Sequence, residues 1–251
     1  DSIVMLEDTQ EIFKCGERKV KVFKKVSKGE NISRKGEDLR KGKIVLKKGE
    51  IVDSAVIGML AYLGKKYIEV YKRPEIAIIS TGDELKKPGE RIKEGEIYDS
   101  NSYTLYAQIK KEGGIPLIVG IARDNINSLS QFIKNGLRYD VVILSGGVSE
   151  GKYDLVVEVL RRLGVKMIFW KVSVKPGKPS FFGKRGKTLV FGLPGYPVSS
   201  YLNFENLVKV ALWKMTGRKF PEGIKIVAKL GEKIENKGDR ESIFRVKIVN
   251  A

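Results

Sequence analysis

Histidine is missing from all 251 residues. That excludes a Ser-His-Asp triad, a histidine general base and any imidazole-held metal. Cysteine occurs once, at Cys15. No internal disulfide can form, which fits a reducing, cytoplasmic setting. No apolar run approaches the ~20 residues of a membrane helix, and no secretory pattern is visible, so no membrane partner is expected. There is no internal repeat and no low-complexity stretch. A block of like charge interleaved with aromatics is also lacking, although the formal net charge is +18. The lysines scatter over the whole chain, as on many heat-adapted surfaces. Nucleic acid is therefore not the expected partner, and an anionic small molecule stays open. What remains for catalysis is carboxylates, lysines, backbone dipoles or a metal held by oxygen. The start at Asp1 rather than Met, and the end at Val249-Asn250-Ala251, point to a segment of a longer protein.

Three styles of sequence follow one another. Residues 1–48 read as part of a β-rich domain, with strands expected at Ser2–Leu6, Lys19–Phe23 and Lys43–Leu46. Residues 49–72 hold a helix over 53–63, capped by Asp53 or Ser54 and stopped at Gly64. Residues 73–218 alternate strands (75–80, 116–120, 141–144, 165–172) with helices (101–112, 127–138, 154–163, 198–216), plus a hairpin from 179–183 and 188–191. That alternation predicts an α/β domain with a central, mostly parallel sheet and helices on both faces. Residues 219–251 read as an incomplete β-barrel domain, with strands over 224–228 and 243–248.

In such a sheet, ligands bind beyond the carboxyl ends of the strands. The informative loops all fall there. Ser145-Gly146-Gly147-Val148-Ser149-Glu150-Gly151-Lys152-Tyr153-Asp154 links a strand to a helix. Its glycines let backbone approach a phosphate, and Asp154 places a carboxylate beside it. Thr81-Gly82-Asp83-Glu84-Leu85 follows the first strand, and Arg123-Asp124 the next. Lys175-Pro176-Gly177-Lys178-Pro179 holds two lysines toward one side, which suits an oxyanion. Gly192-Leu193-Pro194-Gly195-Tyr196-Pro197 leads into the last helix. Singly, all but the glycine-rich loop read at least as well as an ordinary turn, a solvated acid pair or a helix-leading loop. Together on one rim they point to a binding site.

These segments, with Asp99-Ser100-Asn101, stand in an order that resembles the molybdopterin-binding fold. The fold is shared by molybdenum-insertion enzymes of the MoeA and gephyrin E-domain type and by MogA-type adenylyltransferases. The flanks choose between them. The run Gly29 to Asp38 resembles the MoeA segment before the central domain, and a trailing β module also fits MoeA.

The resemblance implies an enzyme that inserts molybdate, or tungstate, into adenylylated molybdopterin and releases AMP with help from Mg²⁺. Glu84, Asp154, Lys171, Lys175, Asp124 and Asp38 are the implied catalytic residues. Asp83, Glu84 and Asp154 are the implied metal ligands. Thr81, Gly82, Asp99, Ser100, Asn101, Ser145, Gly146, Gly147, Ser149, Lys178, Pro194, Gly195 and Pro197 are implied to line the pterin site. A homodimer is implied, with Asp38 serving the partner's cleft, and the molybdopterin adenylyltransferase as a further partner. Tyr196 departs from the family's usual Asn, and Glu150 from a small apolar residue. A MogA-like adenylyltransferase and a non-catalytic, gephyrin-like scaffold are the alternatives.

Overall fold

The computed structural model describes residues 1–147, 155–218, 226–236 and 238–249. The chain divides into two units, Asp1–Lys47 and Lys48–Ala251.

In the first unit a 3-10 turn, Leu6–Asp8, leads into the antiparallel strands β1 (Thr9–Lys14) and β2 (Glu17–Val22). The turn between them is Cys15-Gly16, both at positive φ (55° and 83°). That is the twist a two-residue hairpin requires. Cys-Gly is not the usual Asn-Gly or Asp-Gly signal, so the sequence does not announce β1. The expected strand over 2–6 is reduced to a hydrogen bond from Ile3 N–H to Glu30 O at 3.0 Å. The run 43–46 forms no strand.

The second unit opens on α1 (Ser54–Tyr62). Asp53 caps it, its side chain accepting from Val56 N–H at 2.9 Å, and Gly64 follows at φ 69°. A six-stranded sheet follows. Its strands are β3 (Glu75–Thr81), β6 (Ile115–Ala122), β7 (Val141–Ser145), β8 (Lys166–Trp170), β10 (Phe181–Arg185) and β11 (Thr188–Leu193). Two short strands, β4 (Leu85–Lys86) and β5 (Ile97–Tyr98), pair with each other outside it. The spatial order is β6-β3-β7-β11-β10-β8. β3 pairs in parallel with β6 and β7, and β7 with β11, while β10 runs antiparallel to both neighbours.

The central strands are apolar and β-branched because both faces are covered. On one face α3 (Ile126–Gly136) and α4 (Leu155–Arg162) bury Leu129, Ile133, Val156 and Leu160 against Ile79, Val142 and Leu144. On the other, α2 (Asn101–Lys111) and the last helix bury Leu105, Ile109, Phe204 and Leu212 against Ile76, Ile78 and Ile143. Burial of this kind contributes roughly 1.5–3 kcal/mol per large side chain. The last helix is a composite: α5 (Pro197–Asn203), a π-helical turn Phe204–Val208, then α6 (Lys209–Met215).

The chain leaves β3 for β6 on one side and returns to place β7 on the other. Loops after β3 and β7 therefore diverge at a topological switch point, where a crevice opens. Beyond residue 225 the expected β-barrel strands are not seen among the described residues. Instead β12 (Glu241–Ser242) pairs in parallel with β9 (Val174–Lys175). Glu241 N–H donates to Ser173 O at 3.1 Å and Ile243 N–H to Lys175 O at 2.8 Å.

Candidate functional site

The crevice at the ends of β3 and β7 is a cavity of about 570 Å³. It is lined by Ser80, Thr81, Gly82, Glu84 and Leu85 from β3 onward, and by Ser145, Gly146 and Gly147 after β7. Ile97, Tyr98, Asp99, Ser100 and Asn101 form the wall before α2. Asp124, Pro179, Pro194, Gly195, Tyr196 and Pro197 complete it. The expected pterin-site residues thus converge, save Ser149 and Lys178. Ser149, Glu150, Lys152 and Asp154 lie outside the described residues.

Packing explains the glycines. A Cβ on Gly146 would meet the Thr81 carbonyl oxygen at 2.6 Å. One on Gly147 would meet Thr81 Oγ1 at 2.7 Å and Val156 Cγ2 at 2.6 Å. Both have positive φ, 93° and 65°. The loop therefore lies directly on the β3 end, and only glycine allows it. Thr81 Oγ1 is buried beneath it without a hydrogen-bond partner. Asn101 ties three loops together: its Nδ2 donates to Ser145 Oγ at 2.9 Å and to Gly195 O at 2.8 Å. Asp99 is buried, and its Oδ1 accepts from Ser102 N–H at 3.1 Å, which stabilises the start of α2.

The acidic side of the crevice is organised around Asp83. Its carbonyl accepts from Arg123 Nη1 at 2.7 Å, and its Oδ1 accepts from Asp124 N–H at 3.2 Å. The Asp124 carboxyl is held above its ordinary range, first by partial burial and then by the negative charges of Asp83 and Glu84. Three carboxylates thus repel one another at one edge of the cavity.

A second cavity, of about 550 Å³, adjoins the lysine loop. Lys171, Ser173, Lys175 and Lys178 line one side; Asn236, Asp239, Arg240 and Ser242 line the other. Lys171 sits at φ 72°, in the left-handed region that non-glycine residues seldom occupy. Its Nζ lies 4.7 Å from the ring centre of Trp170. The Lys175–Pro176 peptide is cis. The lysine loop belongs to both cavities: Lys178 lines the basic one and Pro179 the crevice. Arg240 escaped the sequence reading because nothing in its spacing ties it to Lys175, some 65 residues earlier; only the β9–β12 pairing does. Asp38, in the first unit, is exposed.

Among the described residues no three Asp, Glu, Cys or His side chains converge as a ready metal cage. No helix there is long and apolar enough to cross a membrane.

Comparison with known proteins places this geometry. Residues 77–214, more than half the chain, match the family described as "Probable molybdopterin binding domain". Residues 1–64 match the "MoeA N-terminal region (domain I and II)". The molybdopterin molybdenumtransferase of Haemophilus influenzae is 38% identical over 191 residues, covering 76% of this chain and 47% of that protein. Its namesake in Bacillus subtilis is 34% identical over 210 residues, covering 83% and 49%. A solved molybdopterin biosynthesis MoeA protein of Pyrococcus horikoshii superposes with a TM-score of 0.72 at 34% identity, covering 87% of this chain and 54% of that one. The chain spans about half the length of these relatives.

Proposed function

This chain belongs to the molybdopterin-binding domain family, in its MoeA-type arrangement, and on that premise we propose that it is the core of a molybdopterin molybdotransferase. The reaction is insertion of molybdate, or tungstate, into adenylylated molybdopterin, giving molybdenum cofactor and AMP. One observation carries the reading. A glycine-floored crevice with a carboxylate edge and a basic cavity share a single loop, through Pro179 and Lys178. A flat pterin bearing phosphates and a tetrahedral oxyanion need such neighbours.

In this reading Gly146, Gly147 and Ser149 line the pterin phosphate; Gly147 offers its backbone N–H, while that of Gly146 donates to Leu193 O at 3.0 Å. Thr81, Asp99, Ser100, Asn101, Ser145, Pro194 and Gly195 shape the pterin wall. Lys171, Lys175, Lys178 and Arg240 hold the oxyanion and offset charge that develops as the phosphoanhydride opens. Mg²⁺ fits the acidic edge, because Asp83, Glu84 and Asp124 offer hard oxygens whose mutual repulsion a cation relieves. Magnesium commonly uses one or two carboxylates with waters and substrate phosphates, so a complete protein cage is not required. Asp83, Glu84 and Asp154 would hold it, and it would supply neutralisation of the phosphate oxygens. We further propose a cytoplasmic homodimer in which Asp38 serves the partner's crevice, with the adenylyltransferase as the donor of substrate.

The test is AMP release from adenylylated molybdopterin by the full-length protein, with and without molybdate. Molybdate-dependent release supports the reading. Consumption of ATP with free molybdopterin would assign an adenylyltransferase instead, and no turnover under either condition would leave a scaffold.

A further inference from the structure

A buried amide governs the lysine loop from the opposite side of the sheet edge. Asn203 is 1% exposed and ends α5. Asparagine is a poor helix former, and a buried amide is costly unless its hydrogen bonds are made. The compensation lies in the loop between the two lysines. Asn203 Nδ2 donates to Gly177 O at 2.7 Å and also to Ser180 Oγ. Ser180, fully buried, donates its hydroxyl in turn to Gly177 O at 3.2 Å. Both Nδ2 hydrogens are thus spent on residues 177 and 180, which bracket Lys178. The fit is tight. A Cβ on Gly177 would stand 2.4 Å from Asn203 Oδ1, and Gly177 has φ 117°.

Other hydrogen bonds of the loop run within it and to the carboxyl-terminal segment. Lys171 N–H donates to Ser180 O at 2.7 Å and Val172 N–H to Lys178 O at 3.0 Å. Ile243 N–H reaches Lys175 O at 2.8 Å. Asn203 joins this loop to the helical layer. Immediately after it the helix widens into the π turn Phe204–Val208. Such turns inside α-helices frequently accompany functional sites.

We propose that Asn203 is a positioning residue: it fixes the backbone of Gly177 and thereby the separation of Lys175 and Lys178 as oxyanion donors. The inference rests on the oxyanion reading of the basic cavity. Removing the amide leaves Gly177 O without its strongest donor and lets the two ammonium groups spread. Affinity for a tetrahedral anion falls, while the crevice at the β3 and β7 ends, which the loop meets at Pro179, changes less.

The experiment is calorimetric titration of sodium molybdate into full-length wild-type protein and into Asn203→Ala and Asn203→Asp, each checked for folding by circular dichroism. The expected result is a molybdate Kd weakened about tenfold in both variants, the value of one well-made buried hydrogen bond. In turnover, the KM for molybdate rises severalfold more than that for the adenylylated pterin, whose crevice meets the loop at Pro179. Should the Asn203 variants fail to fold, Gly177→Ala drives a Cβ into the same amide from the loop side and must give the same loss. Wild-type binding with folded variants that bind equally well overturns the inference alone. A wild type that binds no molybdate overturns the oxyanion reading and the inference together.

Discussion

Asp124 shows how one residue reports the charge balance of the crevice. Its folded pKa is raised by burial and by Asp83 and Glu84. The folded state therefore binds the proton more tightly than the unfolded state does. Below the unfolded value, about 3.9, the group is neutral in both states and costs nothing. As pH rises through the window up to the raised folded value, ionisation progressively destabilises the fold. Asp124→Asn is thus expected to melt higher than wild type at pH 7 in the presence of a chelator. The difference should vanish near pH 3. A variant less stable than wild type at pH 7 would contradict this sign. Arg240 makes the corresponding statement for the basic cavity. Arg240→Ala removes one charged donor, so the KM for molybdate should rise roughly tenfold or more, with little change in thermal stability because the side chain is only partly buried.

At the scale of elements, the helical layer beneath the site is held by a buried ion network between α2 and the last helix. Glu112 is 7% exposed. It accepts from Trp213 Nε1 at 2.7 Å and pairs with Arg218 at 3.5 Å and Lys209 at 3.6 Å. The Lys209 ammonium is held above its ordinary range, first by its hydrogen bond to Glu205 and then by the nearby Glu112 charge. Glu112→Ala takes away the acceptor of Trp213 Nε1 and the partner of Arg218, while Lys209 keeps Glu205 at 2.8 Å, and urea unfolding should show a loss of about 2 kcal/mol. Glu112→Gln, which keeps an acceptor for Trp213, should lose less. The elements that periodicity could reveal were those with one dominant environment. β3 and β7 are covered runs dominated by Ile, Val, Leu and Ala. α1 and α3 carry Asp53 and Asn125 as caps, each accepting at 2.9 Å from a backbone N–H three residues on. What escaped was set by distant partners. β12 is two residues long and exists only because Ser173 and Lys175 offer backbone acceptors. Asn203 sits in an otherwise helical pattern, and its use is visible only once Gly177 is brought beneath it. The crevice was legible because its residues follow strands directly; the wall that Arg240 adds was not.

For the whole molecule, charge and assembly are the open quantities to measure. The family resemblance motivates a homodimer, so sedimentation of the full-length protein at micromolar concentration should give twice the chain mass; a monomer would contradict it and remove the role proposed for Asp38. The central claim is that Lys171, Lys175, Lys178 and Arg240 hold a tetrahedral oxyanion beside the pterin crevice. The most direct measurement is anomalous scattering at the molybdenum edge from crystals of the full-length protein soaked in molybdate. The expected result is one dominant peak within the basic cavity, in contact with the lysine loop and Arg240, lost in a Lys175→Ala and Lys178→Ala double variant. A dominant peak elsewhere, or none at saturating molybdate, would contradict it.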